Sequence, residues 1–123
     1  MSHQISMTID VADLTGAMDF YVGALSCDMK KKYSDGWAVV AAGGVNINLV
    51  EQPAGSVAAA DHKRSYQRHW TPVHLDFGVE NVPAAMELVK EHGGTVEGHV
   101  TSDGSDFAHC ADPFGNGFCL VKT

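Results

Sequence analysis

Basic residues are scarce in this chain: eight Lys and Arg stand against fifteen Asp and Glu, a formal net charge of −7. Nucleic-acid binding needs clustered cations on phosphates, so that class of partner is argued against. The one basic block, Lys30-Lys31-Lys32, reads as a solvated strand edge. Cysteine is sparse as well. Cys27, Cys110 and Cys119 are odd in number and show no CxxC spacing. A disulfide framework is therefore not expected, and a reducing compartment, the cytoplasm by default, is. No apolar run approaches the roughly 18 residues of a membrane-spanning helix. The first residues form neither a basic n-region nor an apolar h-region. Absent too are a GxSxG elbow, a P-loop, a GxGxxG after a strand, and HExxH, HxxxE or His-x-His spacings. Hydrolase, kinase and dinucleotide readings thus have no foothold.

What is present is the composition of a globular domain, 45% hydrophobic and 19% charged over 123 residues. That length predicts one domain that buries roughly two-thirds of its extended surface. The chain also repeats itself. Ile5–Val11 alternates apolar with polar, as a half-buried strand does, and Val73–Val79 alternates in the same way. After the first run, Leu14, Ala17, Met18, Tyr21 and Leu25 recur at helical spacing behind Asp13, a candidate cap. After the second, Ala85, Met86 and Val89 do so behind Asn81 or Val82, with Pro83 in the first turn and Gly93-Gly94 at the stop. An offset of 68 residues superposes Val11 on Val79, Leu14 on Val82 and Ala17 on Ala85. Three strand-like runs follow each helix, near Cys27–Tyr33, Trp37–Ala42 and Val45–Val50, then Thr95–Val100, Phe107–Ala111 and Gly117–Val121. The spacing predicts an α+β fold of eight strands and two main helices, as two βαβββ modules. Module boundaries fall at about 1–51 and 72–123. The linker 52–71 is read as a connector or a lid, with Ala58–Trp70 a candidate short helix.

Two stretches carry a family likeness. Val11-Ala12-Asp13-Leu14, followed by Asp19-Phe20-Tyr21 and Leu25, resembles the first strand-to-helix signature of the glyoxalase/bleomycin-resistance/dioxygenase (vicinal oxygen chelate) superfamily. Val73-His74-Leu75-Asp76-Phe77, with Ala85, Gly93-Gly94 and the hairpin Asp112–Phe118, resembles its second module. The resemblance covers nearly the whole chain. It implies two four-stranded sheets curled around a half-open, barrel-like cavity, and a homodimer. It implies no single reaction, because the fold serves lyases, dioxygenases, epoxide-opening resistance enzymes and non-catalytic drug binders.

In metal-dependent relatives, four pocket-facing positions supply ligands, by His and Glu in the lyases and by two His and one Glu in the dioxygenases. The resemblance puts those positions at Ser6, Asn48, His74 and Cys119, so only His74 matches. Catalytic divalent ions need three or more good protein ligands. The expectation is therefore that the family metal is lost and no cofactor is present. Cys119, between Phe118 and Leu120, is read as a small buried apolar residue. Asp76 lies on the same strand face as His74, about 6–7 Å along it. A rearranged site of His74, Asp76 and His109 would draw on one module only.

Alternation predicts a pocket lined by Gln4, Ser6, Thr8, Asn46, Asn48, His74, Asp76, Phe107, His109 and Cys119, with Trp37 and Trp70 as aromatic walls. This lining is polar and mostly neutral, which suits a small organic molecule held by hydrogen bonds and stacking. Two functions follow. One is a metal-independent binding protein for a drug or metabolite. The other is a degenerate lyase, isomerase or dioxygenase-like enzyme using His74 or His109 with Asp76 as a general-base pair. A ligand-free dimeric scaffold is a third.

Overall fold

The computed structural model describes residues 2–123. The first half runs β1 (Ser6–Val11), α1 (Leu14–Asp19), β2 (Asp28–Ser34), β3 (Trp37–Ala42) and β4 (Val45–Glu51). The linker carries β5 (Val57–Ala59) and β6 (His62–Lys63). The second half runs β7 (Leu75–Val79), α2 (Val82–Glu91), β8 (Thr95–Ser102), β9 (Ser105–Ala111) and β10 (Gly117–Lys122). Each half forms one four-stranded sheet, ordered β1-β4-β3-β2 and β7-β10-β9-β8. In each, the first strand pairs in parallel with the last, and the rest is an antiparallel meander. This is the twofold α+β repeat that the sequence predicts.

The helices are built unequally. Asn81 caps α2, its side-chain oxygen accepting from the Ala84 N–H at 2.9 Å, with Pro83 in the first turn. Gly93, at φ +89°, ends it. Asp13 stands at the α1 cap position but its side chain makes no capping bond. Glu51, at the end of β4, accepts from the Leu14 N–H at 2.9 Å instead. Past Asp19 the helix widens into a π-turn, Phe20–Ala24, which buries Phe20, Tyr21 and Ala24.

That buried turn joins the halves. One core cluster includes Val11, Phe20 and Leu49 from the first and Val89, Phe118 and Leu120 from the second. The Phe20 ring meets Phe118 edge-on at 5.9 Å. A Cβ at Gly94 would sit 2.6 Å from the Phe20 ring, so a side chain there would part the halves. Polar ties reinforce the joint. Tyr21 donates to Asp112 at 2.6 Å, and Asn116 Nδ2 donates to the Asp10 carbonyl at 3.1 Å.

The linker departs from the sequence reading. Residues 58–70 form no helix, and among the described residues the strands number ten rather than eight because β5 and β6 make a hairpin of their own. Its backbone bonds, Gly55 N–H to Arg64 O and Arg64 N–H to Ser56 O at 2.8 Å each, satisfy groups a helix would have used. Ala60 turns the tip at φ +52°. The stretch also lacks the apolar stripe that holds a short helix against a core. No helix among the described residues is long and apolar enough to cross a membrane.

Candidate functional site

Strand alternation divides each sheet into a core face and a polar face. On the first sheet, Ile47, Leu49, Ala38 and Val40 are buried. Ser6, Thr8, Asn46 and Asn48 share the other face, paired Ser6 with Asn46 and Thr8 with Asn48. Trp37 Nε1 donates to Asn48 Oδ1 at 3.0 Å, and the Asn48 amide donates to the Met7 carbonyl at 3.2 Å. Tyr33 stacks on Trp37 with centroids 4.3 Å apart and planes 17° from parallel, under the Lys31 ammonium at 4.8 Å. Trp37 remains 41% exposed, an aromatic surface open to a ligand.

The second sheet gathers the reactive side chains. Registers Asp76 with Cys119 and Cys119 with His109 set three neighbouring strands side by side. His74, immediately before β7, places Nε2 3.2 Å from Asp76 Oδ1. Cys119 Sγ lies 3.4 Å from His109 Nδ1. The thiol is buried, but its surroundings are polar rather than apolar. Phe118 and Leu120 point into the core while Cys119 faces His109 and Asp76. Burial, and then the Asp76 charge, push its pKa up. Phe107 meets the His109 ring edge-on at 5.4 Å.

Trp70 covers this group, its ring 4.8 Å from that of His74 and 5.9 Å from that of His109. The linker holds it there as a strap. Arg64 pairs with Asp10 at 2.9 Å. The Tyr66 hydroxyl lies 3.0 Å from the Val11 carbonyl and 2.6 Å from the Gln52 carbonyl. Arg68 makes two bonds to Glu97, at 2.7 and 2.9 Å, and lies 5.9 Å over the Trp70 ring. These bonds raise the Arg68 pKa and lower that of Glu97. Beneath the strap, Gly115 sits at φ +83°, where a Cβ would come within 2.6 Å of the Tyr66 carbonyl.

Two grooves flank the seam between β1 and β7, and Met7 and Leu75 line both. The larger, about 700 Å³, is mainly apolar and reaches Asp76. The smaller, about 390 Å³, is lined by Thr8, Asp10, Arg64, Tyr66, His69 and His74. Of the residues read from the sequence as lining, Thr8, His74 and Asp76 reach a groove. Ser6, Trp37, Asn46, Asn48, Phe107, His109 and Cys119 lie on the open sheet faces instead. Alternation named Ser6 and Thr8 but stopped short of Asp10, the next residue on that face. The strap residues Arg64 and Tyr66 carried no periodic signal.

The four-position divalent site does not fit these residues. Ser6 is exposed and offers a weak neutral oxygen. The Asn48 carbonyl oxygen is taken by Trp37 and its amide by Met7. The first half therefore supplies no strong ligand.

Comparison with known proteins agrees with this architecture. A model of the glyoxalase-like domain matches residues 6–121. No curated protein matches the chain. A hypothetical protein from S. aureus superposes with a TM-score of 0.76 at 22% identity, covering 100% of this chain and 99% of that one. Lactoylglutathione lyase from Agrobacterium tumefaciens does so with a TM-score of 0.67 at 19% identity, covering 98% and 94%. An E126Q mutant of the fosfomycin resistance protein FosX from Listeria monocytogenes, complexed with Mn(II) and 1S,2S-dihydroxypropylphosphonic acid, gives 0.74 at 17% identity, covering 98% and 90%. Similarity at these identities is similarity of fold.

Proposed function

The chain belongs to the glyoxalase-like domain family of the vicinal oxygen chelate superfamily, and from that premise we propose a binding protein for a small, planar organic molecule, a drug or a metabolite. One observation carries the reading: Trp70, half exposed, is pinned by its strap above the imidazoles of His74 and His109. A fixed aromatic plane beside hydrogen-bonding imidazoles recognises a flat, polar ligand without ordering a loose side chain first. Trp37, with Tyr33 behind it, offers a second such plane on the other sheet. Recognition of this kind does not require the divalent ion whose four positions are Ser6, Asn48, His74 and Cys119.

One contact favours an enzymatic second reading. His74 Nε2 at 3.2 Å from Asp76 Oδ1 is the arrangement of an imidazole base oriented by a carboxylate. His109 would then serve as the partner acid in a degenerate lyase, isomerase or dioxygenase-like reaction.

The working form is proposed to be a homodimer. Ile5 and Val73, which correspond under the 68-residue offset, are 83% and 75% exposed. Two equivalent apolar residues left bare are suited to cover by a twofold partner. Three buried free cysteines fit a reducing setting, and the cytoplasm is proposed as the compartment.

The test is a thermal-shift screen of planar heteroaromatic compounds in chelator, followed by calorimetry with Trp70→Ala. Binding raises the melting temperature by mass action, and loss of Trp70 is expected to weaken it at least tenfold. A screen with no hit in chelator, or hits indifferent to Trp70, would refute metal-free binding. Turnover in chelator that is lost in His74→Ala and His109→Ala would establish the enzymatic reading.

A further inference from the structure

The larger groove beside the seam plays no part in the recognition proposed above. Its volume, about 700 Å³, is that of a small-molecule pocket, roughly 300–1,000 Å³. Leu25, Val45 and Ile47 line it from the first half, Phe77 and Leu88 from the second. Val45 and Leu88, 39% and 38% exposed, leave bare apolar surface in it. Its charged lining residues are all acidic, Asp28, Asp76 and Glu80, and among the described residues no Lys, Arg or His lines it. We infer that this groove binds a small amphiphilic cation, an alkyl or apolar ring group carrying one ammonium centre, with the ammonium at Asp28 and Glu80. This is a second site. Trp70, His74 and His109 do not line it, and neither do Ile5 and Val73, on which the dimer rests.

Charge sets the sign of the ligand. Asp76 is engaged by His74 at 3.2 Å, but among the described residues Asp28 and Glu80 have no ion-pair partner. Lys122 is spent on the Glu80 carbonyl oxygen, 2.8 Å away, rather than on its carboxylate. Two uncompensated carboxylates beside an apolar trough attract a cation and repel an anion. The start of α2 pulls the other way, since a helix N-terminus carries about half a positive charge. Its donors are already used. The Asn81 side chain accepts from the Ala84 N–H at 2.9 Å and the Asn81 carbonyl from the Ala85 N–H at 3.1 Å. Pro83 has no N–H, and Val82 is fully buried. The carboxylates therefore decide. Shape is set in advance as well. The Cys27 N–H donates to the Tyr21 carbonyl at 3.0 Å, and Ser26 is held at φ +56°. A left-handed φ at a residue other than glycine persists only where its surroundings enforce it, so the wall from Leu25 to Asp28 meets a ligand preformed. Burial of the alkyl group supplies the affinity, about threefold to fourfold per CH₂. The exposed carboxylates supply the selectivity, at most about fivefold each.

Calorimetry with hexyl- and octyltrimethylammonium, octanoate and octanol, each below its micelle threshold, tests this. Octyltrimethylammonium should bind once per chain, about threefold to tenfold more tightly than octanol, with octanoate weakest. Octyl should exceed hexyl by about tenfold. The double variant Asp28→Asn with Glu80→Gln should bring the cation down to the level of octanol and leave octanol unchanged, a pattern that a folding defect would not give. Ala84→Trp, at an exposed position of α2 that lines the groove, should weaken cation and alcohol alike by about tenfold or more as the indole fills the space. Trp70→Ala should leave octyltrimethylammonium binding unchanged, which separates failure of this site from failure of the Trp70 plane. No binding of the cation, or equal affinity for octyltrimethylammonium and octanoate, would overturn the assignment. So would a preference for the cation that survives the double variant, or binding lost in Trp70→Ala and kept in Ala84→Trp. An Ala84→Trp chain that sediments alone where the parent sediments as a pair would give the groove to a second copy instead.

Discussion

The Tyr21 hydroxyl and the Asp112 carboxylate meet at 2.6 Å, a buried bond between residues 91 apart that ties the π-turn of the first half to the closing hairpin of the second. Asp112 is saturated by further donors, the N–H groups of Phe114 and Asn116 and the Asn116 amide. Burial is the main cause raising the pKa of both Tyr21 and Asp112. The tyrosine is thus held as the donor. Tyr21→Phe should cost about 1–3 kcal/mol, the range for losing a buried bond to a carboxylate. Urea denaturation measures it, and a loss under about 0.5 kcal/mol would show that the remaining donors suffice.

Gly115 carries the strap. Its φ is +83°, and any Cβ there would stand only 2.6 Å from the Tyr66 carbonyl, which leaves no place for a side chain. Gly115→Ala should cost on the order of 1–3 kcal/mol and should shift the emission of Trp70 as the strap lifts. An unchanged spectrum would mean that Arg68 and Glu97 alone position the indole.

The Arg68–Glu97 pair should give stability a specific pH dependence. Arg68 holds the Glu97 carboxyl below its usual range. A carboxylate with a depressed folded pKa contributes above its unfolded value, about 4.3, and that contribution is lost as the pH falls through the folded value. Glu97→Gln should therefore lie below the parent by no more than about 1 kcal/mol at pH 7, the pair being surface-placed. The gap should narrow below about pH 4. A gap that is constant or widens in acid would contradict this.

Sedimentation at micromolar concentration should give the mass of two chains, and Ile5→Lys with Val73→Lys should give the mass of one. Both positions are bare in the single chain, so the double substitution should leave the far-ultraviolet circular dichroism of the folded chain unchanged. A parent protein that sediments as one chain would remove the dimer.

Much of the fold was legible because strands and helices announce themselves locally. Alternation located Trp37–Ala42 and Gly117–Val121 close to β3 and β10, and the 68-residue offset carried Val11 and Leu14 onto Val79 and Val82. The closing hairpin, Asp112–Asn116, lengthens the second meander and shifts its last strand out of that offset. The illegible parts depend on distant partners. Leu14 is capped from Glu51, 37 residues on, and the strap is set by Asp10 and Glu97. Cys119 was legible in part. Its burial and its place on one lining with Asp76 and His109 follow from local pattern, but the direct registers that set it between them depend on the order of the strands.

The β5–β6 hairpin lies between two halves that grip each other by other means. Its tip at Ala60 is exposed, while Arg64 and Tyr66 beyond it are bound to Asp10, Val11 and Gln52 of the first half. A protease that cuts the tip would therefore sever the chain without separating the pieces. Two fragments made as separate polypeptides, divided at residue 60, should find each other and reassemble. The seam that looks like a weakness of the repeat is then the place where the gene for this protein tolerates being split.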